Sequence, residues 1–600
     1  MLKHPMLKNA RVVLDLTKGE RPLLIASVAI ALVMSALYFT LPPLAKPILH
    51  AFIDGTPSEK QHALGQLVVA LAVLNVVQAI LGSAQSYLLS VAGEGVTRRL
   101  RRLLFRKLIA LPMAAINQMR AGDIASRWSN DVGIVQALAT TNVVNLVRFA
   151  AQLVVAIGVM FFLQWQLTLE AIAAMAIVIV TANFAMKYLS TSSVRLQGLR
   201  ANALAVAAEA VANALLVKMA VRQDYVTQRV DEKLGETYDL AKRRALVQAT
   251  VIPVVNTVAL VMFGAILLLE AQRVIAGTVS MAELGAYVVS VGLLATAAGQ
   301  LAITLNSVRQ SLAGLSRVFA IMRMPSEAAH PGDACAPAGD IALEGVSMRY
   351  GSEGEFAVDG VTLTIPRGSS FALVGPSGSG KSTLLSLLGG VFEATSGTIT
   401  IGGRDLRTLD LDAHRERIGY VSQEPFAFQA SLRENLLLAK PDATEDELLR
   451  ALRAANAQHI VERLANGLDS EIGEGGKTLS RGERQRIAVA RLFLSDPEIV
   501  LLDEPTASLD AQNEMLVKVA LDEILVGRTT ILVTHRTRMV RECDAIGVLL
   551  DGRLVEVGTY DELCAAGGVF ATLDRLQAGE GMLPDPAFTT TLEELHAPVH

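Results

Sequence analysis

The chain has few cysteines and few charged residues for its length, and both shortages narrow what it can be. Three cysteines occur among 600 residues, Cys335, Cys543 and Cys564, and their spacing is not that of metal ligands. We expect reduced, incidental thiols. Charged residues make up 19% of the chain and the formal net charge is −4, which argues against a nucleic-acid partner. No internal repeat and no cleavable signal peptide is apparent.

Long uncharged runs are abundant instead, and they are concentrated before residue 310 of a chain that is 52% hydrophobic. Six runs stand out: Leu23–Ala45, Gln61–Gly93, Phe149–Leu169, Ala171–Met186, Ala245–Leu269 and Leu284–Val308. Because a bilayer of ~30 Å is crossed by ~20 apolar residues, five runs are long enough and the fourth is close. Helices of a soluble core would show a polar face every turn, and these runs do not. The sequence therefore predicts six membrane spans.

Basic residues give the orientation of these spans. The stretch after the second run carries Arg98, Arg99, Arg101, Arg102, Arg106, Lys107, Arg120 and Arg127 against three acids. Short connections rich in arginine and lysine stay in the cytoplasm. The opposite connection, Gln164-Trp165-Gln166, is short and predicts an outer hairpin between spans three and four. We expect a multi-pass protein of the inner (plasma) membrane whose termini and C-terminal half are cytoplasmic.

The C-terminal half contains a glycine-rich phosphate-binding motif between an apolar strand-like segment and a helix-like one. Its residues are Gly375, Pro376, Ser377, Gly378, Ser379, Gly380, Lys381, Ser382 and Thr383. Such a loop points backbone N–H groups inward around phosphates, and its lysine reaches the β- and γ-phosphates. The Ser382 hydroxyl is suited to Mg²⁺. The motif predicts binding of ATP with Mg²⁺.

Three side chains at the ends of strand-like segments are candidates for the chemistry. Asp503 and Glu504 follow the buried-looking segment from Ile499, and they suggest an Mg²⁺ ligand and a base for water that attacks the γ-phosphate. His535 follows Thr529–Val533 and is placed to contact the γ-phosphate or that water. The alternatives are a solvated acidic pair and an ordinary surface histidine.

Ser480 and Gly482 form a Ser-x-Gly turn where a helix-like segment begins. Such a turn offers a hydroxyl, free N–H groups and the positive end of a helix dipole to an anion. An N-cap followed by a basic helix explains the same residues, and spacing alone leaves both interpretations open.

Taken together, these motifs resemble those of the ABC exporter family, specifically a half-transporter of the subgroup with bacterial lipid flippases and multidrug exporters. The resemblance covers about residue 15 to about residue 575. It implies a six-span α-helical transmembrane domain with a cytoplasmic α/β P-loop nucleotide-binding domain, as in type IV exporters. It further implies that Tyr350 stacks on adenine, that Gln423 senses Mg²⁺ and the membrane domain, and that His535 is a switch histidine.

The resemblance also implies that ATP is sandwiched between the phosphate loop of one copy and the signature segment Leu479–Glu483 of another. Asp510 ends the segment from Ala507 that crosses the dimer interface. Ser480 and Gly482 match the family pattern, whereas Arg481 stands where a glycine and Glu483 where a glutamine is usual. Because Glu504 and His535 are both kept, we expect a homodimer, with a heterodimer as the alternative.

The domain organisation follows from these segments. We expect an amphipathic helix on the inner membrane surface, a transmembrane domain, a linker, a nucleotide-binding domain and a polar tail, at 1–22, 23–324, 325–340, 341–578 and 579–600. Within the second of these, Ile116–Val132 and Ala208–Arg222 resemble the helices that transmit movement to the nucleotide domains.

The predicted function is ATP-driven export or flipping of a hydrophobic or amphipathic substrate, a lipid or a drug, by alternating access. A peptide exporter and an ATP-gated membrane module without obligatory pumping are alternatives. Arg148 interrupts uncharged sequence and has two interpretations of equal weight: contact with anionic substrate groups in a cavity, or snorkelling to the cytoplasmic headgroups. Expected partners are a second copy, membrane lipids and a small amphipathic substrate.

Overall fold

The structure is a computed structural model that describes residues 16–578 apart from 41–47, 49, 51, 53–55, 120, 278, 328–336, 352–353, 474–475, 477 and 508. Most of the predicted N-terminal amphipathic helix, part of the linker and the predicted polar tail therefore lie outside the described residues. The described chain divides into two compact units. The first contains residues up to Arg106 and Gly122–Met322, and the second contains Lys107–Ala121 and the residues from Arg323 onward.

The described residues of the first unit form helices and the turns that join them. Its helices, with the short α3 that belongs to the second unit, are α1 (Arg21–Tyr38), α2 (Pro57–Ile109), α3 (Met113–Asn117), α4 (Gly122–Leu163), α5 (Trp165–Ala212), α6 (Ala214–Met219), α7 (Gln223–Ile275) and α8 (Met281–Arg323). Five of them, α1, α2, α4, α7 and α8, are long and apolar enough to cross a bilayer. In α5, which contains the fourth expected span, the shorter apolar stretch Trp165–Val178 is described.

The outer hairpin predicted at Gln164 is present. Only Gln164 separates α4 from α5, and its backbone is extended with φ −160° and ψ 102°. Its N–H donates to Met160 O at 2.8 Å, and its carbonyl accepts from Thr168 N at 3.2 Å. Around this turn the bundle buries large side chains, among them Met160, Leu167 and Tyr287. The turn and the core below it fix the outer ends of three helices.

The first of the two expected transmitting segments, Ile116–Val132, covers the end of one helix and the start of the next. The short helix is α3, which begins after the extended residue Pro112, whereas most of Ile116–Val132 forms the start of α4. Proline fixes an extended approach to its first turn, and this sets the start of α3. Asp131 is buried rather than presented at a surface, because the Arg317 guanidinium donates to both of its carboxylate oxygens at 2.9 and 2.5 Å.

The described part of the second unit contains three sheets and the helices that cover them. The strands are β1 (Ile341–Arg349), β2 (Phe356–Ile365), β3 (Ser370–Val374), β4 (Ser396–Ile401), β5 (Arg404–Asp405), β6 (Ile418–Val421), β7 (Ala430–Ser431), β8 (Glu471–Ile472), β9 (Ile499–Asp503), β10 (Thr529–Val533), β11 (Ala545–Leu550) and β12 (Arg553–Gly558). The helices are α9 (Lys381–Leu388), α10 (Leu411–Glu416), α11 (Leu432–Leu437), α12 (Glu445–Ala454), α13 (Gln458–Arg463), α14 (Arg481–Ser495), α15 (Ala511–Leu525), α16 (Tyr560–Ala566) and α17 (Val569–Ala578).

The largest sheet places the predicted site. Its order is β12-β11-β3-β10-β9-β6, with parallel pairing except between β11 and β12. Strands β3, β9 and β10 are almost wholly apolar and buried, as expected for parallel strands covered on both faces. In the register, Val533 pairs with both Leu373 and Asp503. The carboxyl ends of the three central strands therefore lie side by side, where open α/β sheets bind ligands.

Candidate nucleotide site

The phosphate loop connects β3 to α9, as its flanking sequence predicts. Gly380 has φ +98°, and a Cβ at this position would collide with the carbonyl oxygen of Ala357. Only glycine fits both the left-handed backbone and this close approach. The loop therefore ends at the N-terminus of α9, where free N–H groups and the helix dipole favour an anion.

Lys381 lies inside the loop and is 6% exposed. Its Nζ donates to the carbonyl oxygens of Gly375 at 2.9 Å and Pro376 at 2.6 Å, and to Ser379 Oγ at 3.2 Å. Burial lowers the pKa of Lys381, while the nearby carboxylates of Glu504 and Asp503 act in the opposite direction. A buried ammonium held among neutral oxygens is ready to exchange these partners for phosphate oxygens.

Ser382 and Asp503 are brought together from α9 and β9. The Ser382 hydroxyl donates to Asp503 Oδ1 at 3.1 Å. Burial raises the pKa of Asp503, although the Ser382 hydrogen bond partly opposes this. A hydroxyl and a carboxylate are hard oxygen ligands, and Mg²⁺ keeps a few such protein ligands together with phosphate oxygens and water. These two side chains fit Mg²⁺.

Glu504 follows β9 directly and is held from two sides. Gln423 Nε2 donates to its Oε2 at 2.9 Å, and His535 Nδ1 lies 3.1 Å from its Oε1. Glu504 has φ +47°, an uncommon backbone for a residue other than glycine. Because its amide donates to Val533 O at 2.9 Å, β10 fixes this turn. In this arrangement the Gln423 amide nitrogen contacts the carboxylate expected to act as base, while Asp503 is paired with Ser382.

Tyr350 lies at the end of β1, beside the phosphate loop. Its hydroxyl is 3.0 Å from Thr383 Oγ1, and its ring meets Phe392 edge to face with centroids 5.4 Å apart. The residue is 52% exposed, so an aromatic face remains open beside the first turn of α9. Such a face can stack on a base.

The signature residues Ser480 and Gly482 begin α14. Ser480 is the N-cap, and with Glu483 it forms a reciprocal capping box. Gly482 packs so closely that an added Cβ would come within 2.8 Å of the Asn513 side chain. Asp510 caps α15 and accepts from Asn513 N at 3.2 Å and Asn513 Nδ2 at 2.5 Å. Asn513 thus connects the signature turn to Asp510, and the sequence analysis did not identify it.

The predicted residues therefore fall into two groups in one chain. The phosphate loop, Tyr350, Asp503, Glu504, Gln423 and His535 surround the carboxyl ends of the central strands. Ser480, Gly482 and Asp510 form a second group at the N-termini of α14 and α15. Arg481 bridges them, because its Nη2 donates to Gln423 O at 3.3 Å.

Comparisons with known proteins agree with this architecture. Residues 24–297 match the ABC transporter transmembrane region, and residues 358–507 match the ABC transporter family. The chain is 30% identical over 544 residues to the ATP-dependent lipid A-core flippase of Albidiferax ferrireducens (strain ATCC BAA-621 / DSM 15236 / T118), covering 89% of this chain and 93% of the flippase. It is also 30% identical over 565 residues to ABC transporter B family member 1 of Dictyostelium discoideum, covering 94% of this chain and 62% of that relative.

The fold has a solved counterpart, described as a bacterial Atm1-family ABC exporter with ATP bound. The two share a TM-score of 0.81 at 23% identity, over 94% of this chain and 99% of the other. Several relatives are longer, and this chain spans 40% of ABC transporter B family member 13 of Arabidopsis thaliana. The prediction of a multi-pass helical membrane domain joined to an α/β nucleotide-binding domain is confirmed. The chain belongs to the ABC transporter family, in the exporter form with both domains on one polypeptide.

Proposed function

We propose that this protein hydrolyses ATP to export or flip an amphipathic substrate across the inner membrane, acting as a homodimer. The observation that carries the proposal is the position of Glu504 between Gln423 and His535, at contacts of 2.9 and 3.1 Å. A carboxylate fixed in this way beside the phosphate loop can orient and deprotonate water. The matching membrane domain on the same polypeptide supports transport as the use of that energy.

In the proposed chemistry each residue of the nucleotide site has one task. Lys381 balances charge on the γ-phosphate, and Ser382 and Asp503 would hold Mg²⁺. Tyr350 stacks on the adenine ring of ATP. The metal, when bound, neutralises charge on the phosphate oxygens. Glu504 takes the proton of the attacking water, and His535 holds the carboxylate in place. Ser480 of a second copy completes the phosphate site from the opposite side.

An exposed apolar tip supports the homodimer. Helix α6 lies at the inner turn between α5 and α7, and Leu215, Leu216 and Met219 on it are 76%, 69% and 77% exposed. Leaving three large apolar side chains exposed to water on a cytoplasmic turn is unfavourable in free energy. A nucleotide-binding unit of a second copy would cover it, as expected for the second transmitting segment, Ala208–Arg222.

The substrate class is suggested by Arg148. Its backbone oxygen accepts from Ser35 Oγ at 3.3 Å, and its guanidinium lies 5.7 Å from the centroid of the Phe149 ring. Its buried Nε has no hydrogen-bond partner in the described part of the chain. A half-buried cation with donor capacity left over favours an amphipathic substrate with an anionic head, of which a lipid is one example.

The test is ATP hydrolysis by purified protein in lipid nanodiscs, with anionic, zwitterionic and cationic amphiphiles of matched chain length. We expect anionic amphiphiles to stimulate turnover of the unaltered protein, and R148Q to lose the stimulation while keeping basal turnover. Equal responses to the three headgroups would contradict the substrate class. Transport by an E504Q variant at an undiminished rate would contradict coupling to hydrolysis and favour an ATP-gated module.

A further inference from the structure

The C-terminal helix α17 contacts the segment that begins at His535. Gln577, in the last turn of this helix, binds two residues of that segment through one amide group. Its Nε2 donates to the carbonyl oxygen of His535. Its Oε1 accepts from Thr537 N at 2.9 Å and from Thr537 Oγ1 at 3.1 Å. A single side chain of α17 thus holds the backbone on which the His535 imidazole is mounted.

The pattern of these hydrogen bonds is that of a neighbouring strand in a parallel sheet. There, one residue of the partner strand pairs with the carbonyl and the N–H of two residues that flank a third. The Gln577 amide pairs in the same way with His535 and Thr537, on either side of Arg536. Because β10 ends at Val533, Gln577 orders backbone that lies beyond the strand.

The peptide group that follows His535 is held at both of its polar atoms. Its carbonyl accepts from Gln577, and its N–H, which belongs to Arg536, donates to Thr534 Oγ1 at 3.0 Å. Because a peptide group is planar, these two contacts set its orientation and with it the direction in which the imidazole leaves the backbone. His535 Nδ1 lies 3.1 Å from Glu504 Oε1. The placement of the imidazole against the proposed base therefore depends on Gln577.

Burial distinguishes the two partners in this contact. Thr537 is 0% exposed, and both of its donors are directed to Gln577 Oε1. Buried donors are nearly always paired, because an unpaired one loses its hydration without compensation. Gln577 itself is exposed, so its replacement leaves no cavity in the core. The contact can therefore be removed while the packing of the unit is kept.

Helix α17 is also fixed at its other end. The N–H groups of Val569 and Phe570 donate to Glu556 Oε1 at 2.6 Å and Oε2 at 3.0 Å. A carboxylate at a helix N-terminus is favoured by the helix dipole. Glu556 belongs to β12, at the edge of the sheet that contains β3 and β10. The Phe570 side chain is fully buried, and its ring meets Tyr560 edge to face with centroids 5.5 Å apart. The helix therefore presents Gln577 from a fixed position.

We propose that Gln577 is a positioning residue for ATP hydrolysis, which holds the backbone of His535 so that the imidazole stays against Glu504. This inference rests on the roles of His535 and Glu504 in the proposed function and adds the C-terminal helix to that site. Gln577 acts on the base through His535 and leaves the phosphate loop untouched. Its loss should therefore lower kcat with little change in KM for ATP.

Removing the side chain is the first test. In Q577A the His535 carbonyl loses its donor, so kcat of the full chain in nanodiscs should fall roughly tenfold, while KM for ATP stays within about twofold. R575A is the matched control, because Arg575 is exposed on the same helix and its Nε donates to Ala571 O of that helix at 3.2 Å. We expect R575A to keep its kcat. An unchanged kcat in Q577A, or an equal loss in R575A, would overturn the proposal.

Q577E separates the two contacts of the amide. Its carboxylate can accept from Thr537 as the amide oxygen does, but at neutral pH it has no proton to donate to the His535 carbonyl. We expect the urea midpoint of unfolding to match that of the unaltered protein and kcat to be as low as in Q577A. A Q577E variant with the kcat of the unaltered protein would show that the His535 contact has no part in hydrolysis, and the proposal would be wrong.

A double variant tests whether Gln577 acts through His535. Once the imidazole is removed, its position no longer matters, so kcat of H535A/Q577A should lie within about twofold of that of H535A. A further tenfold fall would indicate an independent role and contradict the proposal. H535A with the kcat of the unaltered protein would contradict the role of His535 in the proposed function itself. A low kcat in H535A beside a normal one in Q577A would leave the proposed function standing and remove only the positioning role.

Discussion

Arg463 donates from Nη2 to Glu483 Oε1 at 2.8 Å and so neutralises a carboxylate in the first turn of α14. Glu483 is 8% exposed. Burial raises its pKa, but hydrogen bonds from Ser480 and the charge of Arg463 outweigh this, so that the pKa lies below its usual value. A negative charge here would otherwise oppose the phosphate that this helix terminus is proposed to meet. The pair explains how the chain accommodates Glu483 in its signature.

Removing Arg463 should weaken ATP binding. In R463A the Glu483 carboxylate loses its cation and repels the phosphates of ATP. We expect KM for ATP to rise by roughly tenfold and kcat to change less. The effect is limited to this size because water screens the half-exposed Arg463. E483Q removes the charge, so R463A/E483Q should recover. R450A, at an exposed arginine on α12, is the control. ATP titrations of turnover measure this, and an R463A/E483Q variant no better than R463A would contradict the electrostatic role.

Replacing Glu504 should stop hydrolysis without stopping binding. E504Q keeps the size of the side chain and its contact with Gln423 but removes the proton acceptor, so turnover should fall by roughly 10² to 10⁴-fold. Binding of a fluorescent ATP analogue should remain. E424Q, at an exposed acid close to Gln423 in the sequence, should hydrolyse ATP normally. Comparable turnover in E504Q and the unaltered protein would exclude Glu504 as the base.

Replacing Asp503 should change the Mg²⁺ requirement. D503N keeps a partner for the Ser382 hydroxyl but removes a charged ligand, and we expect the Mg²⁺ concentration for half-maximal turnover to rise by about 10 to 100-fold. Magnesium titrations at fixed ATP measure this. Nucleotide binding in EDTA should match that of the unaltered protein. An unchanged Mg²⁺ midpoint would show that the Ser382–Asp503 contact only supports the fold.

Acid should destabilise the second unit through His414. This side chain is 1% exposed, and its Nε2 lies 3.0 Å from Leu388 O. Burial lowers its pKa, and the nearby arginines Arg417 and Arg415 lower it further. The neutral ring therefore contributes stability that is complete above the unfolded pKa of about 6.5 and is lost as the pH falls through the lower folded pKa.

Between these two pKa values the free energy of unfolding should fall by about 1.4 kcal/mol per pH unit from this group. H414Q retains a donor for Leu388 O without titrating, so its pH dependence should be flatter. Urea unfolding of the full chain between about pH 5 and pH 8 measures this difference. H459Q, at a half-exposed histidine, should keep the original slope. Parallel curves for H414Q and the unaltered protein would rule out His414 as the source.

The strand ends at Asp503 and His535 were predictable from sequence because apolar runs of five residues followed by polar side chains are typical of buried parallel strands. The phosphate loop was predictable because its glycines adopt backbone conformations that other residues rarely adopt. Five of the six expected spans could be identified by composition because lipid tolerates few charges, whereas for the fourth only the shorter apolar stretch Trp165–Val178 is described. These features are local, so the sequence around each is sufficient.

Contacts between distant segments were not predictable. The Asp131–Arg317 pair joins residues 186 positions apart, and Asp131 alone looked like part of an exposed transmitting segment. Glu270 directly follows the apolar run Ala245–Leu269, yet it is fully buried. Arg273 Nη1 lies 2.7 Å from Glu270 Oε1, and Arg273 Nη2 lies 3.0 Å from Glu170 Oε1. Asn513 carries no motif, and only packing shows that it supports Gly482. The roles of these residues depend on which helices pack against each other in the folded chain.

The single extended residue at Gln164 has a mechanical consequence. With one residue of slack, the outer ends of α4 and α5 cannot separate, so these helices must travel as a pair throughout any cycle. Any widening on the outer side must then occur between other helices than these two. The one-residue connection therefore keeps the outer ends of α4 and α5 together.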